Sequence, residues 1–207
     1  PAEAPPTDIA GIEAQGVAFW PLALARDLDD AIMELRVNEK EIGTWVFKTE
    51  GDSANVEAAD KALVDNADHW LVREIMLYMK RTFKRIDVSS RSLVALVEPG
   101  SCFTGTLLEL VLAADRSFML DGAFEGANLP PATVVLTGMN FGPLVMPNGL
   151  TRLEHRFLGD PSMVDRARGE IGKRVEAIEA DELGLVTFTP DDIDWEDEVR
   201  IAIEERA

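Results

Sequence analysis

The stretch from Ser92 to Leu120 reads "SLVALVEPGSCFTGTLLELVLAADRSFML", and it constrains the fold more than any other part of the chain. A strongly apolar strand run ends at Val97, a Pro-Gly break follows at Pro99 and Gly100, and a helical pattern carries the chain into a second short strand at Ser117–Leu120. Two strands joined through a helix call for a crossover, and crossovers join parallel strands. The helix is expected over about Thr104 to Ala114, with Leu107, Leu110, Val111 and Ala114 as its core stripe. Glu109 lies about 200° around from Leu107, off that stripe.

The same alternation runs through most of the chain. Phe19 to Arg36 repeats apolar residues at Leu24, Leu28, Ala31, Ile32 and Leu35, the period of a helix packed on one face. Thr44–Phe47 is rich in β-branched and aromatic residues and runs into the turn chemistry of Glu50-Gly51-Asp52, so it reads as a buried strand. A helix is expected over Asp68–Lys84, then the strand at Leu93–Val97. Beyond the central stretch come a Gly/Pro/Asn-rich loop at 121–131, a strand at Ala132–Leu136 and an irregular segment. Helices are expected at Leu150–Phe157, Pro161–Gly172 and Asp192–Glu205, with "EADELGLVTF" as a helix end followed by a strand. The whole predicts an α/β fold with largely parallel pairing. Residues 1–18, which begin "PAEAPPTD", have linker composition, and residues 19–207 are expected to form the folded domain. Neither end carries a start or stop signal, which suggests a piece of a longer protein.

Composition narrows the function. With 38 acids against 20 bases the net charge is -18, a poor match for DNA or RNA, so a nucleic-acid partner is set aside. The basic clusters "KRTFKR" (80–85) and "RARGEIGKR" (166–174) read first as solvated helix faces. No run of about 18 apolar residues or more is present, so no membrane segment is expected. The single cysteine, Cys102, fits a reducing cytoplasm and reads as a buried filler ahead of a nucleophile. His69 and His155 lack ligand spacing, and no metal site is expected. The four tryptophans, Trp20, Trp45, Trp70 and Trp195, are most simply core or interface residues.

In such folds ligands meet the carboxyl ends of strands, which singles out "VFKTEGD" and "VEPGSCFTGT". Backbone N–H groups at tight Gly turns and first helical turns are free to face a developing negative charge, so the two junctions can together supply an oxyanion hole. A strand, a Glu-Gly-Asp turn, a helix and a strand are followed by a Pro-Gly loop and a helix with an early glutamate, ending in "AADRSFM". That order resembles the crotonase (enoyl-CoA hydratase/isomerase) superfamily over roughly Glu41 to Phe188. The strings "FWPLALARDLDDAI", "GTWVFKTEGD", "IDVSSRSLVALVEPGSCFTGTLLELVLAADRSFM" and "PDDIDWEDEVRIAIEERA" resemble, more narrowly, the C-terminal half of a lyase built from two crotonase-like halves. Lyases of that kind open the ring of oxygenated benzoyl-CoA and release formate in aerobic benzoate degradation.

The resemblance implies a spiral of ββα units with mostly parallel strands and C-terminal helices. It places the oxyanion donors on the N–H groups of Gly51 and Thr106, and the first catalytic glutamate on Glu109. It further implies an acyl-CoA substrate, no cofactor beyond the CoA that the substrate carries, a preceding crotonase-like half as partner, and a homo-oligomer. Two positions depart from the pattern. Gly138 in "LTGMNFG" stands where the second glutamate belongs, and "GTLL" replaces the usual three glycines before Glu109, putting Thr106 and Leu107 where bare backbone meets ligand. General acid and base are each worth about 100- to 10,000-fold in rate, so one carboxylate makes a poor independent catalyst. The leading expectation is therefore a largely structural half, with Glu109 helping to hold a helix start. An independent hydratase or isomerase and a non-catalytic acyl-CoA binding or dimerisation module remain as alternatives. Whether Phe103, Leu107 or Met139 plugs the space between Gly51 and Thr106 is open at this level.

Overall fold

A computed structural model of the chain describes residues 1, 3–126 and 128–206. Ala2, Ala127 and Ala207, which fall in the expected linker, the Gly/Pro/Asn-rich loop and the C-terminal helical pattern, lie outside the described residues.

Strand β2 (Ser92–Val97) lies between β1 (Thr44–Phe47) and β3 (Arg116–Met119) in a parallel sheet of order β1-β2-β3. Thr44 pairs with Ser92 on one side, and Val94 with Arg116 on the other. Leu93, Ala95 and Val97 point into the main core, while Val94 and Leu96 join Phe118, Leu120, Trp195 and Ala202 on the opposite face. Both faces are covered, and that is why β2 is apolar at consecutive positions instead of alternating. The expected α/β architecture with parallel pairing is present.

Helices α1 (Ile9–Gln15) and α2 (Trp20–Val37) precede β1. Residues 1–18, expected as linker, thus contain a helix. Asp8 caps it by accepting from the Gly11 N–H at 2.7 Å, and Ile12 is fully buried. Helices α3 (Ser53–Asp65) and α4 (Trp70–Asp87) connect β1 to β2. Helix α3 was not anticipated: the Glu50-Gly51-Asp52 turn reads as a loop, yet Asp52 caps a helix by accepting from the Ala54 N–H at 2.8 Å. Its buried residues are Val56, Ala59, Asp60, Ala62 and Leu63, and one of those five is an acid.

Helix α5 (Leu108–Ala113) starts four residues later than the pattern predicts. The backbone before it is committed elsewhere, because the Gly105 N–H donates to the Val135 carbonyl at 2.8 Å and Gly105 has φ +44°. Residues 132–136 do not form an extended strand; they pair only through isolated bridges, Thr104 to Val135 and Val134 to Val175. The expected strand near Phe188 is likewise a single bridge to Phe118. Helices α6 (Arg152–Arg156), α7 (Ser162–Arg168), α8 (Ala177–Glu182) and α9 (Trp195–Glu204) complete the chain. No helix among the described residues is long and apolar enough to cross a membrane.

Of the four tryptophans, Trp45 and Trp195 are buried, Trp20 is half-buried, and Trp70 is 60% exposed at the start of α4. Trp195 carries α9 onto the sheet, packed edge-on against Phe124 at 6.1 Å between ring centroids. Truncation to Trp195→Ala is expected to cost about 3–5 kcal/mol, read as a lowered urea midpoint with an unchanged slope.

Candidate functional site

Three donors converge on the Asp60 carboxylate. The Thr106 N–H reaches Oδ2 at 2.9 Å, the Thr106 hydroxyl reaches Oδ1 at 2.6 Å, and the Thr137 hydroxyl reaches Oδ2 at 2.7 Å. The Thr137 hydroxyl is itself oriented by the Met139 N–H, which donates to it at 3.2 Å. Asp60 lies on the inner face of α3 with 1% of its surface exposed, and Thr106 is fully buried. Gly105 is required beside it: a Cβ there would lie 1.8 Å from Asp60 Oδ2. Burial is the largest influence on this carboxyl and lifts it to about 6, against the opposing pull of its three hydrogen bonds.

Glu109, the second residue of α5, is also 1% exposed. Helix α5 is buried from Leu108 through Leu112, so a position off the core stripe still meets protein. The Arg152 guanidinium donates to Glu109 Oε2 at 2.5 Å, and the Asn140 amide donates to Oε1 at 2.6 Å. Arg152 spends all five of its N–H groups inside the protein: two on Asp87, one on Glu109, and one each on the carbonyls of Leu144 and Phe83. Asn140 also donates to the Gly105 carbonyl at 2.9 Å and accepts from the Thr137 N–H at 2.9 Å, joining the Glu109 and Asp60 networks. Burial pushes Glu109 up to about 7, with Arg152 and Asn140 working the other way.

Gly51 lies apart from both networks. It is exposed, has φ +144°, and sits on a groove of about 710 Å³ lined by residues 48–51, 98–101 and Leu129. Its N–H donates to the Gly100 carbonyl over a long 3.4 Å. Of the three residues singled out from the sequence, Thr106 and Glu109 are thus brought together through Gly105, Thr137 and Asn140, and Gly51 lies on the open side. The Thr106 N–H meets Asp60, while Phe103, Leu107 and Met139 are core residues. Cys102 is buried, and burial pushes its thiol up, the wrong direction for a nucleophile. Among the described residues no cluster of three or more His, Cys, Asp and Glu side chains is placed to hold a metal ion.

Gly138 borders a second cavity, of about 340 Å³, lined by Asp60 and Val64 of α3, Leu136, Thr137 and Ile171 among others. Sequence reasoning missed Asp60, Asn140 and Arg152. For Asp60 a signal existed: Val56, Ala59 and Leu63 recur at helical spacing after a capping Asp, and Asp60 falls on that face. For Arg152 the capping box of Thr151 and Glu154 marks the helix but not the burial of the residue beside it.

Solved structures with this arrangement of elements include an enoyl-CoA hydratase from Geobacillus kaustophilus HTA426, at TM-score 0.59 and 19% identity over 89% of this chain and 64% of that one. Pseudomonas aeruginosa AtuE gives TM-score 0.58 at 19% identity over 88% of this chain and 66% of its own. The chain has the crotonase fold. No family model matches it. Along all 207 residues it is 53% identical to benzoyl-CoA-dihydrodiol lyase from Aromatoleum evansii. It spans 36% of that relative, about a third of its length.

Within this crotonase fold, Arg152→Met leaves Glu109 and Asp87 buried without their cation and is expected to cost about 3–5 kcal/mol, measured by chemical denaturation. The raised carboxyls set a pH dependence. Each contributes stability that is fully present below its unfolded value, 3.8 for Asp60 and 4.5 for Glu109, and that is lost as pH rises through about 6 and about 7. Thermal melts are expected to show the melting temperature falling from pH 5 to pH 8, with a shallower fall in Glu109→Gln.

Proposed function

We propose that this chain is a crotonase-fold section of a CoA-thioester lyase that hydrolytically opens the ring of oxygenated benzoyl-CoA and releases formate. In this reading the reacting groups are carried by a preceding crotonase-like section, and the present section is a scaffold whose own site is closed. It takes part in a homo-oligomer and uses no cofactor beyond the CoA of the substrate. The 53% identity to benzoyl-CoA-dihydrodiol lyase supports the reaction class.

The observation that carries the division of labour is the Asp60 carboxylate on the Thr106 N–H. A thioester carbonyl gathering negative charge needs that donor, and a carboxylate already bound to it both blocks and repels the developing oxyanion. Glu109 adds to the case. A general base must reach a substrate proton within about 3 Å, whereas both oxygens of Glu109 are engaged by Arg152 and Asn140. An independent hydratase relying on Glu109 is therefore disfavoured. The groove beside Gly51 gives little support to an acyl-CoA binding module either, because two of its charged residues, Glu50 and Glu98, are acids and its Lys48 is paired with Glu98 at 2.7 Å.

Assayed alone, the chain is expected to hydrate no crotonyl-CoA and to release no formate from benzoyl-CoA dihydrodiol. In the complete lyase, Glu109→Gln is expected to keep kcat within about threefold, because it removes no acid or base from the reacting centre. A loss of more than about 100-fold per folded molecule would assign Glu109 to the chemistry and end the scaffold reading.

A further inference from the structure

The carboxylate of Asp60 is an anion held in the protein interior by neutral groups. Its hydrogen-bond partners among the described residues are one backbone N–H and two threonine hydroxyls, with no cation. Burying a charge with only neutral donors is costly, so the arrangement calls for donors aimed in advance at one point. They are so aimed: the bridge from Gly105 to Val135 fixes the Thr106 N–H, and the Met139 N–H fixes the Thr137 hydroxyl. These donors recognise two oxygens on one carbon, whichever molecule supplies them.

Asp60 also lines the cavity of about 340 Å³ whose other walls include Val64, Leu136, Gly138 and Ile171. The remaining charged residues on that wall are compensated: Glu57 pairs with Arg174 at 2.8 Å, and Lys61 with Asp65 at 2.5 Å. Gly138 widens the space, since a Cβ there would reach van der Waals contact with Val64 at 3.7 Å. A short apolar chain attached to the carboxylate carbon therefore has somewhere to lie.

We propose that Thr106 and Thr137 form a seat for a small carboxylate with a short apolar tail, and that the chain fills this seat with its own Asp60. The carboxylate that closes the site is then an internal ligand, and the seat can be re-occupied from solution once the side chain is removed. The raised carboxyl of Asp60, lifted above all by burial, is consistent with an anion held by neutral donors alone. The inference stands apart from the lyase reading, because its readout is binding and not turnover.

The test is rescue of Asp60→Ala in the whole chain. At pH 7 and matched ionic strength, sodium acetate and sodium butyrate are expected to raise the melting temperature of the variant by a few degrees, saturably, while sodium chloride does not. Wild type, its seat already taken, is expected to shift with none of them. Butyrate should bind roughly tenfold more tightly than acetate, from burial of two additional methylenes, and adding Thr137→Val should weaken both. A folded Asp60→Ala variant that responds to acetate and butyrate no more than to chloride overturns the seat, and equal affinity for acetate and butyrate overturns the tail site. Should Asp60→Ala not fold in plain buffer, its refolding in the presence of each salt decides the matter. Refolded with sodium butyrate, Asp60→Ala is expected to be recovered folded, with the wild-type Thr106 amide resonance as reference, and a variant recovered no better with butyrate or acetate than with sodium chloride overturns the proposal.

Discussion

The contact between Asp60 and the Thr106 backbone organises the candidate site of this chain. One side chain from α3 reaches the loop before α5 and, through Thr137, the turn that follows residues 132–136. Three segments distant in sequence are thereby fixed around a single carboxylate. Gly105 follows from this contact, because the approach of Asp60 leaves no room for a Cβ and the local backbone has positive φ. The late start of α5 follows as well, since Thr104 and Gly105 are paired to Val135 when they would otherwise begin the helix.

A second buried network lies directly beneath. Arg152 is the cation between Asp87 at the end of α4 and Glu109 at the start of α5, and Asn140 passes hydrogen bonds from Glu109 to the loop that holds Asp60. An ion pair this deep is held by complete hydrogen bonding more than by Coulomb attraction, because desolvation offsets much of the latter. In a chain of net charge -18, Asp60, Asp87 and Glu109 lie in the interior and hydrogen-bond to neighbouring protein groups. The carboxylates of Asp60 and Glu109 are both hydrogen-bonded to neighbouring protein groups, and burial is what raises their proton affinities most.

Much of the frame was legible in the sequence because it rests on local periodicity. Strand β1 falls on the expected residues, β2 begins one residue earlier, and α2, α4 and α9 lie within a few residues of the apolar patterns that announce them. The parallel sheet was legible from the order of strands and helices. Helix α3 was not, because the Glu-Gly-Asp turn reads as loop chemistry and hides the helix that Asp52 caps. Residues 132–136 misled in the other direction: their β-branched composition fits a strand, but their neighbours supply only isolated bridges. At the site, Glu109 and Thr106 were singled out through the resemblance to the crotonase superfamily, which also marked Gly138 as a position without the family's second carboxylate. The partners of those residues were invisible, being 31 to 46 positions away in the chain.

Gly51, Thr106 and Glu109 were named through a resemblance to a known family, while the sequence alone determined the class of fold, the central buried strand and the lack of a side chain at Gly138. These depend on side-chain type and spacing, which act over a few residues. Only the tertiary structure decided that the Thr106 amide is spent on Asp60 and that Glu109 is spent on Arg152. Whether a backbone donor faces a ligand or a carboxylate of its own chain is set by which distant side chain packs against it, and packing is a property of three dimensions that no local pattern encodes.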